Sequence, residues 1–136
     1  MGLETMRKIQ VIGLPGSGKS TAINKFIKQY QGTCHHLDIV DYESNKQYTK
    51  EFNCLKAANK INSNLILESA TGLYGFKSHV IKLDTDIDII KQRLLKRDQS
   101  FDSDYMSLLS IATIKADCII KDADELVQHL LFIFQD

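Results

Sequence analysis

The sequence predicts an α/β fold in which a parallel β-sheet is covered by helices on both faces. Two observations lead to this prediction. Five short apolar segments alternate with amphipathic ones along the chain, and 136 residues suffice for one domain with a sizeable core. Strands that alternate with helices pair in parallel, because each helix carries the chain back to the same end of the sheet. We therefore expect a single domain over residues 1–136.

The first half of the chain holds two of the predicted strands and two of the helices. Residues 8–14 form a short apolar run that ends at a glycine-rich turn, as a strand would. Apolar residues then recur at helical spacing from Lys19, and Gly32 is expected to end this helix as its C′ residue. Residues 34–40 are the second strand candidate. The mostly polar segment 45–61 carries a helical stripe of Tyr48, Phe52, Leu55, Ala58 and Ile61.

The second half continues the alternation. Its three predicted strands are the short apolar runs 65–67, 79–83 and 116–121. The segment 84–98 begins with acids and ends with bases, which is the order that a helix dipole favours. Residues 105–115 are predicted to form another helix. Asp122 or Asp124 caps the last one, whose inward-facing residues are Leu126, Val127, Leu130, Leu131 and Phe134.

The composition limits the possible partners. Seventeen basic and seventeen acidic residues give zero net charge, so stable nucleic-acid binding and binding to anionic membranes are not expected. There is no apolar run of about 18 residues, so no membrane span is expected. The first residues lack the order of a signal peptide, and we expect a cytoplasmic protein that is a monomer or a dimer.

The cysteines and histidines give no metal spacing. Cys34, Cys54 and Cys118 are odd in number and far apart, so we interpret them as free thiols in a reducing cytosol. His35 and His36, next to Cys34, are interpreted as polar, half-buried side chains that open a strand rather than as metal ligands.

The sharpest motif is GLPGSGKS, residues 13–20, which holds the only proline and three of the seven glycines. This glycine-rich loop matches GxxxxGK[ST] at every fixed position, between a predicted strand and a predicted helix. The odds of a chance match anywhere in the chain are roughly one in 200. Glycines allow positive φ angles and a close approach of phosphate, while backbone N–H groups and the helix N-terminus attract an anion. The predicted nucleotide site comprises Gly13, Leu14, Pro15, Gly16, Ser17, Gly18, Lys19, Ser20 and Thr21.

Three of these residues have a specific predicted task. The Lys19 ammonium is expected at the β- and γ-phosphates, and the Ser20 hydroxyl is expected in the shell of a magnesium ion. Thr21 is a candidate contact of the α-phosphate.

GLPGSGKST followed by an amphipathic helix resembles the small P-loop kinases. This group contains nucleoside monophosphate, shikimate and gluconate kinases and adenylate-kinase-like proteins. The resemblance spans the chain in element order, and the loop is its specific part. It implies a three-layer α/β/α P-loop NTPase fold with a five-stranded parallel sheet in the order 2-3-1-4-5. It also implies ATP and Mg²⁺ as cofactors. The motifs of GTPases and of transporter ATPases are absent.

Acidic residues follow two of the predicted strands. Asp38 and Asp41 come at the end of the second strand, facing the crevice of the loop. In the resembling kinases an Asp at this place touches the phosphoryl acceptor or acts as its base. We favour Asp41, because Asp38 is expected to lie inside the strand; an acidic cap before the next helix is the alternative. Glu68 ends the run LIL, where the resemblance implies an acid that holds the magnesium ion or its water.

The use of arginine is selective, since the chain has fourteen lysines and three arginines. Arg93 and Arg97 stand four residues apart, on one face of the helix after the fourth strand. A planar, bidentate donor suits phosphate. Small kinases carry arginines at the start of the lid, which implies that one binds nucleotide phosphates and the other stabilises the transferring group. The alternative is a dipole-matched helix end with solvated arginines.

Two functional hypotheses follow. The first is an ATP- and Mg²⁺-dependent kinase that transfers the γ-phosphoryl group to a small acceptor, which a nucleotide would satisfy. Its acceptor region at 45–62 and its lid at 98–104 are both short. The second is a nucleotide-binding module with slow hydrolysis, whose ATP state controls a protein or RNA partner.

Overall fold

A computed structural model describes residues 7–42, 47–110 and 114–135. Within them, five parallel strands form one sheet in the order β2-β3-β1-β4-β5. The strands are β1 Lys8–Ile12, β2 His35–Asp38, β3 Leu65–Ser69, β4 His79–Leu83 and β5 Cys118–Ile120. The helices are α1 Lys19–Gln29, α2 Gln47–Asn59, α3 Ile87–Lys96, α4 Ser103–Ser110 and α5 Ala123–Ile133, and a short 3-10 helix follows β2 at Ile39–Asp41. The predicted fold class and strand order are confirmed.

Both faces of the sheet are covered by apolar side chains. On one face, α1 and α5 pack against the strands around Phe26, whose ring centroid lies 5.2 Å from that of Phe134. On the other face, Leu65 and Leu67 of β3 pack against Cys54 of α2. This double burial explains why the run Leu65–Leu67 of β3 is continuously apolar rather than alternating.

Helix ends follow the predicted chemistry, with one exception. Asp122, rather than Asp124, caps α5 by accepting hydrogen bonds from two backbone N–H groups. The chain leaves α1 in an extended conformation at Tyr30, so the prediction that Gly32 is the C′ residue is wrong. A Cβ at Gly32 would lie 2.5 Å from the Tyr30 hydroxyl, and the Tyr30 ring stacks on Phe26 at 5.1 Å. The glycine therefore makes room for an aromatic ring.

Cys34, Cys54 and Cys118 are free. In the described part of the chain, no helix has both the length and the apolar character needed to cross a bilayer. The helix predicted over 105–115 begins two residues earlier, and 111–113 lie outside the described residues.

Gln10, in the central strand, holds the loop that follows β3. Its side chain is 1% exposed, and its Oε1 accepts a hydrogen bond from Leu73 N at 2.7 Å. Its Nε2 contacts Leu73 O at 3.2 Å and Ser78 Oγ at 3.0 Å. The amide thus satisfies backbone groups that are buried where the chain leaves the sheet.

We expect Gln10→Leu to lower the free energy of unfolding by about 3 kcal/mol, because buried backbone groups lose their hydrogen-bond partner. Urea denaturation measures this change. Gln92→Leu, at an exposed position of α3, is the matched control and is expected to change stability by less than about 0.5 kcal/mol. Equal stability of the two variants would contradict the role given to Gln10.

Candidate active site

The glycine-rich loop connects β1 to α1 at the carboxyl edge of the sheet. Gly18 is the N-cap of α1 and has a left-handed conformation with φ 99°, which a residue with a Cβ adopts only with strain. Gly13 packs closely against β4, the neighbour of β1 in the sheet, since a Cβ at Gly13 would lie 2.7 Å from Leu83 O. Glycine is therefore needed at both positions for structural reasons alone.

Side chains from three parts of the chain hold the carbonyl groups of this loop. Lys19 Nζ donates to Gly13 O at 2.6 Å and to Leu14 O at 3.1 Å. Thr85 Oγ1, just beyond β4, donates to Ser17 O at 2.7 Å. Arg93 Nη1, from α3, donates to Gly16 O at 3.1 Å. These bonds fix the conformation of the loop before any ligand arrives. Thr85 carries no motif, and sequence reasoning missed it.

Lys19 is the cation at the centre of the site. The residue is 8% exposed. Burial lowers the pKa of its amine, and the negative charges of Glu68 and Asp38 partly oppose this shift. A weakly solvated ammonium has little water to lose when it meets phosphate, which suits the predicted task.

Glu68 lies within β3, with one hydrogen-bond donor at each carboxylate oxygen. Ser20 Oγ donates to Oε2 at 2.5 Å, and His36 Nε2 lies 2.9 Å from Oε1. Burial by itself raises the pKa of Glu68. The hydrogen bonds from His36 and Ser20 and the charges of His36 and Lys19 outweigh burial, so the pKa lies below its usual value. The structure thus brings together Ser20 and Glu68, the two predicted metal ligands, and holds the acid ionised.

His36 is a site residue that sequence reasoning missed. Its side chain is half-buried, as expected, and in addition it contacts Glu68 directly. The available signal was its position two residues before Asp38, because side chains two apart in a strand share a face.

The structure distinguishes the two acids after β2. Asp38 is the last residue of the strand, stands opposite Glu68 in the register, and accepts a hydrogen bond from Val40 N at 3.1 Å. Burial raises its pKa, and the charges of Glu68 and Asp41 act in the same direction. Asp41 is exposed and does not line the cleft described below. Asp38 does lie inside the strand, as expected, but its place at the strand end brings its carboxyl group to the site. This placement favours Asp38 over Asp41.

The two arginines of α3 have different surroundings. Arg93 contacts the loop backbone, and a Cβ at Gly18 would lie 3.0 Å from its Nη1. Arg97 is the exposed C-cap residue of α3 and lines the cleft. The pair therefore does not converge on one group.

The segment 98–104, predicted as a short lid, follows Arg97 directly. Gln99 N donates to Leu94 O at 2.8 Å, and the ring of Phe101 packs against the buried cluster of Ile90 and Leu94. Lys91 Nζ lies 5.0 Å from the centroid of that ring. The segment is thus anchored on α3, and its role as a lid stays a prediction.

A cleft of about 670 Å³ adjoins the glycine-rich loop, within the range of small-molecule sites. From the predicted nucleotide site it is lined by Pro15, Gly16, Gly18, Lys19, Ser20 and Thr21. Its other lining residues include Asp38 of β2, Lys50 of α2, Glu68 of β3, Arg97 at the C-cap of α3 and Tyr105 of α4. Neither Lys50 nor Arg97 forms an ion pair with any residue in the described ranges. Two cations in the cleft thus remain available to an anionic ligand.

The oxygen donors of Ser20 and Glu68 fit a magnesium ion. Mg²⁺ prefers hard oxygen ligands and is usually bound by one or two protein groups, with water and substrate phosphates completing its shell. Among the described residues, no group of three or more His, Cys, Asp or Glu side chains is arranged to hold a metal ion by itself. The donor set is therefore one that requires a phosphate ligand as well.

Comparisons with known structures support the fold. No protein-family model and no curated protein matches the sequence. Shikimate kinase from Acinetobacter baumannii, in complex with shikimate, is similar in structure with a TM-score of 0.65 and 15% identity, over 96% of this chain and 93% of that one. The Deinococcus radiodurans tunicamycin resistance protein has a TM-score of 0.69 and 11% identity, over 96% of each chain. The Mycobacterium tuberculosis APS kinase has a TM-score of 0.64 and 12% identity, over 96% of this chain and 98% of that one. The chain therefore has the fold of the small P-loop kinases.

Proposed function

We propose that the protein is an ATP- and Mg²⁺-dependent phosphotransferase that moves the γ-phosphoryl group of ATP to a small acceptor. The observation that carries this proposal is the cleft, which extends from Lys19 and Ser20 to Asp38, Lys50 and Tyr105. A module that only bound nucleotide would not need the carboxylate of Asp38 and the amine of Lys50 in the same cleft as the glycine-rich loop. The shared fold of shikimate kinase and APS kinase supports the same reaction type.

In the proposed reaction, the acceptor hydroxyl oxygen forms a bond to the γ-phosphorus while the bond to the β–γ bridging oxygen breaks, and ADP leaves. Asp38 takes the hydroxyl proton; its raised pKa makes it a stronger base than an ordinary carboxylate. Lys19 and Arg97 stabilise negative charge on the phosphates. Ser20 and Glu68 would hold Mg²⁺, which would supply neutralisation of the phosphate charge.

Lys50 is a cation in the cleft that has no role in the phosphoryl transfer described above. Its helix, α2, contacts the 3-10 helix that follows Asp38, and this position suits an acceptor that carries a carboxylate or a phosphate. Tyr105, more than half exposed, offers an aromatic surface to the body of the acceptor.

The proposal is tested by measuring ADP release from ATP and Mg²⁺ with hydroxy acids, sugar acids, nucleosides and nucleoside monophosphates. We expect at least one anionic acceptor to raise turnover well above the background ATPase rate. Tight ATP binding with no stimulation by any acceptor would instead favour the regulatory module. In that case a pull-down with and without ATP should recover different partners.

We expect Asp38→Asn to lower transfer to the identified acceptor about a hundredfold, because the variant cannot accept the hydroxyl proton. The dissociation constant for ATP should stay within about threefold of the wild-type value, since Asp38 is not part of the glycine-rich loop. Steady-state kinetics with saturating ATP measures the first quantity and calorimetry the second.

Asp41→Asn decides between the two carboxylates. With Asp38 as the base, the Asp41 variant transfers at a rate within a few fold of wild type. A full loss in Asp41→Asn with retained activity in Asp38→Asn would reverse the assignment.

A further inference from the structure

The contact between His36 and Glu68 follows from the pairing of β2 with β3. In this parallel register, His36 stands opposite Ile66 and Asp38 stands opposite Glu68. His36 and Asp38 share a strand face, so the imidazole lies one step along that face from the Glu68 carboxylate. Nε2 reaches Oε1 at 2.9 Å, and the two side chains are 18% and 6% exposed. This is a largely buried contact with little competition from water.

Glu68 is held differently at its two oxygens. Ser20 has a single hydroxyl proton, which it donates to Oε2, and its oxygen lone pairs stay free for a cation. A hydrogen bond at one oxygen restrains but does not stop the rotation of a carboxylate about its last C–C bond, where the torsional preference of glutamate is broad. The second bond, from His36 to Oε1, removes that rotation. His36 therefore determines the plane in which Glu68 presents its charge.

We infer that His36 is a positioning residue that orients Glu68 toward the divalent cation, an inference that rests on the proposed function. In the proposed reaction His36 touches neither phosphate nor acceptor, so it acts only through Glu68. Hydrogen-bond partners that orient a metal ligand typically change metal affinity 10- to 100-fold. The expected signature is weakened cation binding with unchanged binding of the metal-free nucleotide.

The test is calorimetric titration of MgCl₂ into the complex of the full chain with AMPPNP, a non-hydrolysable ATP analogue. We expect His36→Leu to weaken Mg²⁺ binding at least about tenfold. AMPPNP affinity measured in EDTA should stay within about twofold of wild type. His36→Gln keeps an N–H donor at similar reach and should bind Mg²⁺ within about threefold of wild type. His35→Leu, at the exposed neighbouring position of the same strand, is the matched control.

Several outcomes would overturn the inference and leave the phosphotransferase proposal standing. One is a His36→Leu variant that binds Mg²⁺ as tightly as wild type. Another is an equal loss in His35→Leu, and a third is a folded His36→Gln variant that shows no rescue. Thermal melting verifies folding, and if His36→Leu does not fold, His36→Ala, which also lacks a hydrogen-bond donor, takes its place with the same expected loss. A wild-type protein that binds no AMPPNP would overturn both proposals.

Discussion

Replacing Lys19 by methionine is expected to lower phosphoryl transfer about a thousandfold, because the glycine-rich loop loses the cation that we propose to contact the phosphates. Methionine keeps an unbranched apolar side chain, so the change removes the charge with little change in packing. ATP binding should weaken as well, because the ammonium attracts the nucleotide before the reaction begins. The transfer rate at saturating ATP and the calorimetric affinity for ATP separate these two effects.

The hydrogen bonds of Lys19 also predict how Lys19→Met changes the stability of the protein in the absence of a ligand. Gly13 O loses its bond from Nζ, while Leu14 O keeps a bond from Ser17 N at 3.0 Å. One hydrogen bond contributes about 1 kcal/mol, and removal of a buried charge offsets part of that loss. We therefore expect a small change in the melting temperature beside a large change in rate.

Lys25→Met is the matched control for this prediction. Lys25 lies on the same helix, is exposed, and pairs with Asp124 at 3.6 Å, outside the cleft. Its loss should leave transfer within about twofold of wild type, because surface ion pairs contribute little. A Lys19→Met variant that keeps a tenth or more of wild-type activity would contradict the role of the ammonium.

The fold could be predicted because its determinants are local. Alternation of apolar and amphipathic segments identifies five strands and the helices between them, and parallel pairing follows from that alternation. The glycine-rich loop is local too, since consecutive residues supply both its backbone shape and its cation. The order of the strands is predicted by the resemblance of the glycine-rich loop to that of the small P-loop kinases, and the structure confirms this order.

The rest of the candidate site depends on relations between distant segments. Whether His36 meets Glu68 is decided by the register of two strands that are separated by a whole helix, and a shift of one residue would move His36 to the opposite face. Whether Arg93 reaches the phosphates or the loop backbone depends on how α3 packs beside Gly16. Strand alternation could have indicated His36, because Asp38 was already a candidate. No local pattern indicated Thr85 or Arg93 as supports of the loop.

The position of Asp38 is an instructive intermediate case. The expectation that it lies inside the strand is correct, but the conclusion that it is therefore unavailable does not follow. The last residue of a parallel strand still projects its side chain at the carboxyl edge, where ligands bind in open α/β sheets. The strand boundary itself, a matter of two residues, decides which aspartate faces the cleft.

Glu68→Gln is the second change with a large expected effect, and it should lower transfer about a thousandfold. The variant loses the negative charge that opposes the cation, and the charge neutralisation that a metal supplies contributes several kcal/mol to such reactions. Raising the concentration of Mg²⁺ should restore part of the rate, since the variant still offers one oxygen. The rate as a function of Mg²⁺ concentration measures this effect.

Glutamine should preserve the fold at this buried position. Its carbonyl oxygen accepts one of the two bonds now made to the carboxylate, and its amide can donate to the Ser20 oxygen or to a histidine nitrogen that is not protonated. The melting temperature should therefore change by only a few degrees. Glu125→Gln, at an exposed position in the first turn of α5, is the control. The isosteric change removes the charge and keeps the shape of the side chain. If Glu68→Gln folds normally but loses activity, the effect is due to the carboxylate charge. If instead its rate depends on Mg²⁺ as in wild type, Glu68 is not a metal ligand.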